Sequence, residues 1–293
     1  MTLISKKNLS IIINRLSFLV SIRDFYQVLL LMLATNSILL YINYPIVLDT
    51  IVSASFKDLV WLFLSVGVIL FFHEFGHAIT CKKLGASPGE IGFGFYILSP
   101  VMFADVSDIW KLKRKERVIV NLAGIYMEVL IGFILGIFYL ITMEASILLL
   151  ISGIMFRLLA NLNPFLRYDG YWILSDLLNV PNLRKVSTEK LKALLMFFIK
   201  KSIFSFNFKS IFLAIYALIS ISLIFIMLLY VLLHDPYSLL FFPLDLYTDI
   251  KDSLFNGERF EYSKFIIPSI FYIIVGKTLL RILIKNNKYF SIK

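Results

Sequence analysis

Long apolar runs constrain this chain before any other feature does. Stretches at 27–47, 59–81, 118–143, 211–233 and 265–283 carry few charges, and each is long enough to cross a hydrocarbon core about 30 Å thick. A shorter run occupies 147–162. Together they predict an all-α polytopic membrane protein with about six transmembrane helices, because backbone in lipid must satisfy its own hydrogen bonds and a helix does so within one segment. Composition agrees, with 59% of the 293 residues hydrophobic and 16% charged, which is outside the usual balance of soluble domains. Lys6 and Lys7 precede a brief apolar patch, but Asn14 and Arg15 interrupt it and no small-residue cleavage site follows. The first span is therefore expected to stay in the protein.

A formal net charge of +10 raises the question of nucleic acid, and the placement of the charge answers it. Four Lys or Arg precede the first span, seven lie at 82–117, eight at 163–210 and three after 283, whereas the opposite loops hold only Lys57, Lys251, Arg259 and Lys264. That asymmetry is the positive-inside pattern of a multi-pass protein with both termini in the cytoplasm. The basic excess then faces a lipid bilayer with anionic headgroups, and no nucleic-acid partner is expected. Cys81 is the only cysteine, so no intrachain disulfide can form.

No repeat, low-complexity tract or Pro/Gly linker divides the chain, which reads as a single membrane-embedded domain over 1–293, with a core at about 57–185 and further spans in 186–293. Two segments on the cytoplasmic side depart from plain helix. "GASPGEIGFGFYILSP" at 85–100 alternates glycine with Phe93, Phe95 and Ile97 between two prolines, which predicts a short membrane-edge strand or β-hairpin near 89–104. "NLNPFLRYDGYW" at 161–172 contains Pro164, which cannot continue the preceding helix, and then an Asp-Gly pair expected to turn. Segments 185–201 and 235–263 are amphipathic or mixed and are expected along the two interfaces.

"FFHEFGHAIT" at 71–80 carries three ionisable groups into one of the most apolar stretches. His73 and His77 are four apart, so on a helix they share a face and their rings converge on one ion. Glu74 points in a neighbouring direction, where it reaches a water rather than the ion, as in the H-E-x-x-H zinc hydrolases. Ionisable side chains inside a span are functional by default. Two histidines leave tetrahedral zinc short of a protein ligand. Cys81 shares their face but lies eight residues from His73, about 12 Å along the axis, and reads as a small buried hydrophobe. His234 falls at the opposite membrane surface and reads as a lone interfacial histidine. Asp169 remains, following the 147–162 run on the same side as His77. Lys82 and Lys83 mark the cytoplasmic boundary about 13 Å below His73, so the site is expected inside the membrane near that face, in a wetted cavity enclosed by protein.

The paired stretches "HEFGHA" and "NLNPFLRYDG" resemble the site-2 protease class of intramembrane zinc metalloproteases. "MFADVSDIWKLKRKERVIVNLAGIYMEV" at 102–129 and "NPFLRYDGYWILSDLLNVPNLRK" at 163–185 resemble its bacterial peptide zinc metalloprotease branch, and the likeness covers about 65–185. The resemblance implies that His73, His77 and Asp169 bind one Zn2+ per chain, that Glu74 is the general base, and that Asn161 holds substrate backbone or the developing oxyanion. Arg167 and Tyr168 stand where many site-2 proteases carry apolar residues or proline. The implied activity is that of an intramembrane metalloendopeptidase of the bacterial cell membrane. Its expected substrate is a membrane-associated peptide, such as a ribosomally made peptide or its leader, with a peptide export transporter as a possible partner. One alternative is site-2-type cleavage of a transmembrane segment in a regulator such as an anti-sigma factor. Another is a non-catalytic protease-like subunit that binds or exports a peptide, although such a module has no need to keep Glu74.

Three further expectations concern supporting residues. The glycine-rich strand at 89–97 either offers an unpaired edge to an extended peptide or is an ordinary hairpin packed under the helices. Glu128 and Arg157, each inside an apolar run, are expected to pair across the bundle in a structural role in preference to a catalytic one. Asp105 and Asp108 are expected to cap a helix that begins near Ile109 in preference to forming a second metal site.

Overall fold

The computed structural model describes residues 2–96, 99–200, 205–234 and 236–256, with short stretches at 264–265 and 268–269 and the single residue 272. The chain is mostly helical with one small three-stranded sheet. It divides into two compact units, Met1–Gly94 with Val101–Pro181, and Phe95–Pro100 with Asn182–Lys293.

Among the described residues, three helices are long and apolar enough to cross a membrane: α2 (Phe25–Ile42), α4 (Phe56–Lys83) and α5 (Arg114–Thr142). Shorter apolar helices cover Tyr44–Ser53 (α3), Ala145–Asn161 (α6) and Phe208–Leu223. The run expected at 265–283 lies almost wholly outside the described residues. The 27–47 run is not one helix: α2 ends at Ile42 and α3 restarts at Tyr44. Pro45 is the cause, since it lacks an N–H and its ring collides with the carbonyl four residues back, whereas at the start of a helix neither matters. Asn43 bridges the break, donating from Nδ2 to the Leu39 carbonyl and accepting from Tyr139 Oη at 2.8 Å.

In the first unit α5 is the central helix, in contact with α2, α4, α6 and the short α7 (Asp169–Leu178). Asn36 of α2 is buried and donates to the Val129 carbonyl of α5 at 3.1 Å, a polar tie between apolar helices. The start of α4 is set by a capping box in which Ser55 and Asp58 exchange hydrogen bonds. Its end is set by Gly85, whose φ of +92° suits a residue without Cβ. Lys82 and Lys83 donate from that last turn to the carbonyls of Ser10 and Val20. This ties α4 to α1 (Lys6–Leu16), which buries Leu9 and Ile13.

The segment between α4 and α5 corrects two expectations. A hairpin is present, with β2 (Ile91–Tyr96) and β3 (Ser99–Ala104), but β1 (Thr2–Ile4) pairs antiparallel to β2 through Thr2 and Gly92 and through Ile4 and Ile91. The order is β1-β2-β3, so the glycine-rich strand is the middle one and, among the described residues, β1 and β3 are the two edges. Asp105 and Asp108 do not cap an α-helix near Ile109, because α5 begins only at Arg114 and Ser107–Lys111 is a short 3-10 turn. Asp105 accepts from the Ser107 amide and hydroxyl, and these bonds hold its carboxyl below the ordinary aspartate value. Asp108 pairs with Lys111 and accepts from the Ser87 amide.

The second unit contains α8 (Leu183–Lys200), α9 (Phe208–His234) and α10 (Pro236–Phe255), the first and last occupying the segments read as interfacial. Leu191 of α8 packs on Ala214 and Ala217 of α9.

Candidate metal centre

The site is built where α4 meets α5 at close range. Gly76 of the "HEFGH" stretch permits the approach, since a Cβ there would overlap the Ala123 carbonyl of α5. One residue further along α5, Gly124 lies beneath both histidine rings. A Cβ at 124 would stand 2.5 Å from His77 Nε2 and closer still to His73 Nε2. Two glycines therefore bring a helix carrying imidazoles against a helix that leaves them room.

Asp169 arrives from the other side. Asp169 and Gly170 do not form a turn, as the sequence suggested, but open α7. Gly170 is required there because a Cβ would strike the Leu162 carbonyl in the chain just before. α7 is fastened to α5 two helical turns later, where buried Asp176 accepts from Arg117 Nε at 2.6 Å and Asn121 Nδ2 at 3.0 Å. Asn161, the last residue of α6, donates from Nδ2 to Asp169 Oδ2 at 2.9 Å.

These constraints bring His73, His77 and Asp169 together, with one ligand atom from each lying within 4.8 Å of the others. The two Nε2 atoms are 3.1 Å apart, His73 Nε2 is 3.1 Å from Asp169 Oδ2, and His77 Nε2 is 3.5 Å from Asp169 Oδ1. Ligands about 2.1 Å from a tetrahedral zinc stand about 3.4 Å from one another, so the spacing fits. The hydrogen bonding is compatible with this. His77 Nδ1 lies 2.7 Å from the Val120 carbonyl oxygen, and a carbonyl only accepts, so Nδ1 carries the hydrogen and in the neutral ring Nε2 presents a lone pair. That lone pair meets carboxylate oxygens and another imidazole nitrogen. Such a cluster of acceptors suits a cation.

Glu74 is buried beside them, and its Oε2 accepts the Ala104 N–H at the end of β3, 2.7 Å away. The group of converging ligand atoms consists of His73, His77 and Asp169. Cys81 is buried with Ala86, Ile109 and Val120, in keeping with a small hydrophobe. His234 ends α9, and its side chain lies outside the described residues.

Sequence reasoning found the pairing of Glu128 with Arg157 but not the contact of Glu128 Oε1 with His73 Nδ1. A signal existed, since Glu128 lies four residues after Gly124 and thus on the same face of α5. The Asp176 anchor was also missed; its signal was a spacing of seven residues from Asp169, which is two helical turns.

No protein-family model matches this chain, and no solved structure matches it. Over 170 residues, covering 56% of this chain and 67% of the other, it is 27% identical to the Bacillus subtilis (strain 168) protein named "Putative peptide zinc metalloprotease protein YydH". The likeness is distant.

Proposed function

We propose that this protein is an intramembrane zinc metalloendopeptidase of the site-2 class that cuts a membrane-associated peptide near the cytoplasmic face of a bacterial cell membrane. The observation that carries the reading is the convergence of His73 Nε2, His77 Nε2 and an Asp169 carboxylate oxygen beside a buried glutamate. The apolar helices and the distant likeness to a protein named as a zinc metalloprotease support it. His73, His77 and Asp169 hold one zinc. When bound, zinc polarises a peptide carbonyl and makes a nearby water more acidic.

The remaining steps belong to the chain. Glu74 takes a proton from water as attack begins and returns it to the leaving amine. The Ala104 N–H fixes the orientation of its carboxylate. Asn161 orients Asp169, and it would have to release that bond in order to hold substrate backbone. A peptide is attacked in extended form, and the edge strand β3, whose last residue touches Glu74, offers a backbone along which it can align. With basic cytoplasmic loops beside the site, a short acidic or amphipathic peptide is the favoured substrate; a ribosomally made peptide or its leader has that chemistry, and a peptide exporter would take the product.

Glu74→Gln tests the reading, because the amide fills the same space but takes no proton. The variant is expected to keep its zinc and its fold and to leave the peptide uncut, measured by mass spectrometry of membrane and secreted peptides from cells carrying each form. Cleavage at the wild-type rate would overturn the assignment.

A further inference from the structure

One buried carboxylate has no part in the reaction above. Glu128 lies on α5 with 0% of its surface exposed, and an ionised group in such a place costs several kcal/mol unless it is paired. Arg157 of α6 supplies a pairing cation through Nη2. Charge balance needs nothing more, yet the oxygen that meets Arg157 also meets His73 Nδ1. The other oxygen, Oε2, has no hydrogen-bond partner among the described residues. Glu128 is thus directed at one atom of a metal-ligand histidine rather than spread over the bundle.

That atom decides what His73 can do. The approach of Glu128 Oε1 to His73 Nδ1 is a close contact and not an aligned hydrogen bond, since Nδ1 has no hydrogen-bond partner among the described residues. A carboxylate only accepts, so an Nδ1 that bonds Glu128 must carry the hydrogen, and in the neutral ring Nε2 is then left as a lone pair toward His77 and Asp169. His77 is held in the same tautomer by a neutral partner, the Val120 carbonyl. The two histidines are therefore fixed by different means. A carboxylate behind a ligand histidine orients the ring and makes it a stronger donor than a carbonyl does.

We propose that Glu128 is a positioning residue of the metal centre, holding His73 by Nδ1 so that Nε2 faces the ion, with Arg157 as the countercharge that permits a carboxylate there. The inference rests on the zinc reading above. It separates Glu128 from Arg157: metal affinity follows the carboxylate, whereas a purely structural ion pair is weakened equally by loss of either partner.

The test uses the full chain purified in detergent, freed of metal and titrated with Co2+ alone, followed by competition with Zn2+. Glu128→Gln combined with Arg157→Met leaves no unpaired buried charge and keeps the fold accessible if the single Glu128→Gln variant does not accumulate. The double variant is expected to bind about 10- to 100-fold more weakly and to shift the visible Co2+ absorption that reports ligand geometry. Arg157→Lys alone, which keeps a countercharge and so the carboxylate at His73, is expected to bind close to wild type with an unchanged spectrum. Wild-type affinity and spectrum in the double variant would overturn the proposal, as would equal weakening by Glu128→Gln and Arg157→Lys singly. Wild-type protein that takes up no metal would instead remove the zinc reading, and the proposal with it.

Discussion

α4 is one continuous helix in two environments. In its outer half Trp61 is 70% exposed and Phe63 73%, with Leu64 and Val68 more than half exposed. From His73 to Cys81 every residue is buried. The outer half turns apolar side chains outward, in a helix that is long and apolar enough to cross a membrane. The inner half is buried by its neighbours, because Gly76, Ala123 and Gly124 let α4 and α5 approach until imidazoles fill the gap. Both halves belong to one apolar run. What distinguishes the inner half is His73, Glu74 and His77 together with the small residues Gly76, Ala123 and Gly124 that make room for them, and the chemistry lies where those residues are.

The strongest way to break this contrast is to add one methyl group to the inner half. Gly124→Ala places a Cβ against both ligand nitrogens, and the variant is expected to lose its zinc altogether when assayed for metal after purification. Retention of one zinc per chain would mean that the ion does not sit over Gly124. The same change in the outer half sharpens the contrast from the other side. Gly67 has open space where its Cβ would be, so Gly67→Ala should leave zinc untouched and raise stability by up to about 1 kcal/mol through helix propensity, read as a small upward shift in the thermal midpoint. A fall in that midpoint would show that the outer half is packed against something.

The parts of the site legible in the sequence were those written in local spacing. His73, Glu74 and His77 follow from a repeat of four within a helix, and the small size of Gly76 is visible in the same stretch. Asp169 was legible because a proline ends the preceding helix on the correct side. The helical break at Pro45 was equally local, and the apolar run around it obscured it. Other features depend on how separate elements cross. The contact between Glu128 and His73 exists only at the particular approach of α4 and α5. The pairing of Thr2–Ile4 with β2 joins segments almost ninety residues apart, and three residues carry no periodicity from which a strand could be read. That pairing covers the glycine-rich strand and leaves β1 and β3 as the edges among the described residues, with the end of β3 beside Glu74.

The central claim is that His73, His77 and Asp169 form one metal site, and the Asp169→Ala variant of the purified full chain tests it most directly. Zinc content measured beside that of wild type, His73→Ala and His77→Ala should be about one per chain in wild type and lost in all three variants, since each residue supplies one of three protein ligands. Full zinc occupancy in Asp169→Ala would contradict the account.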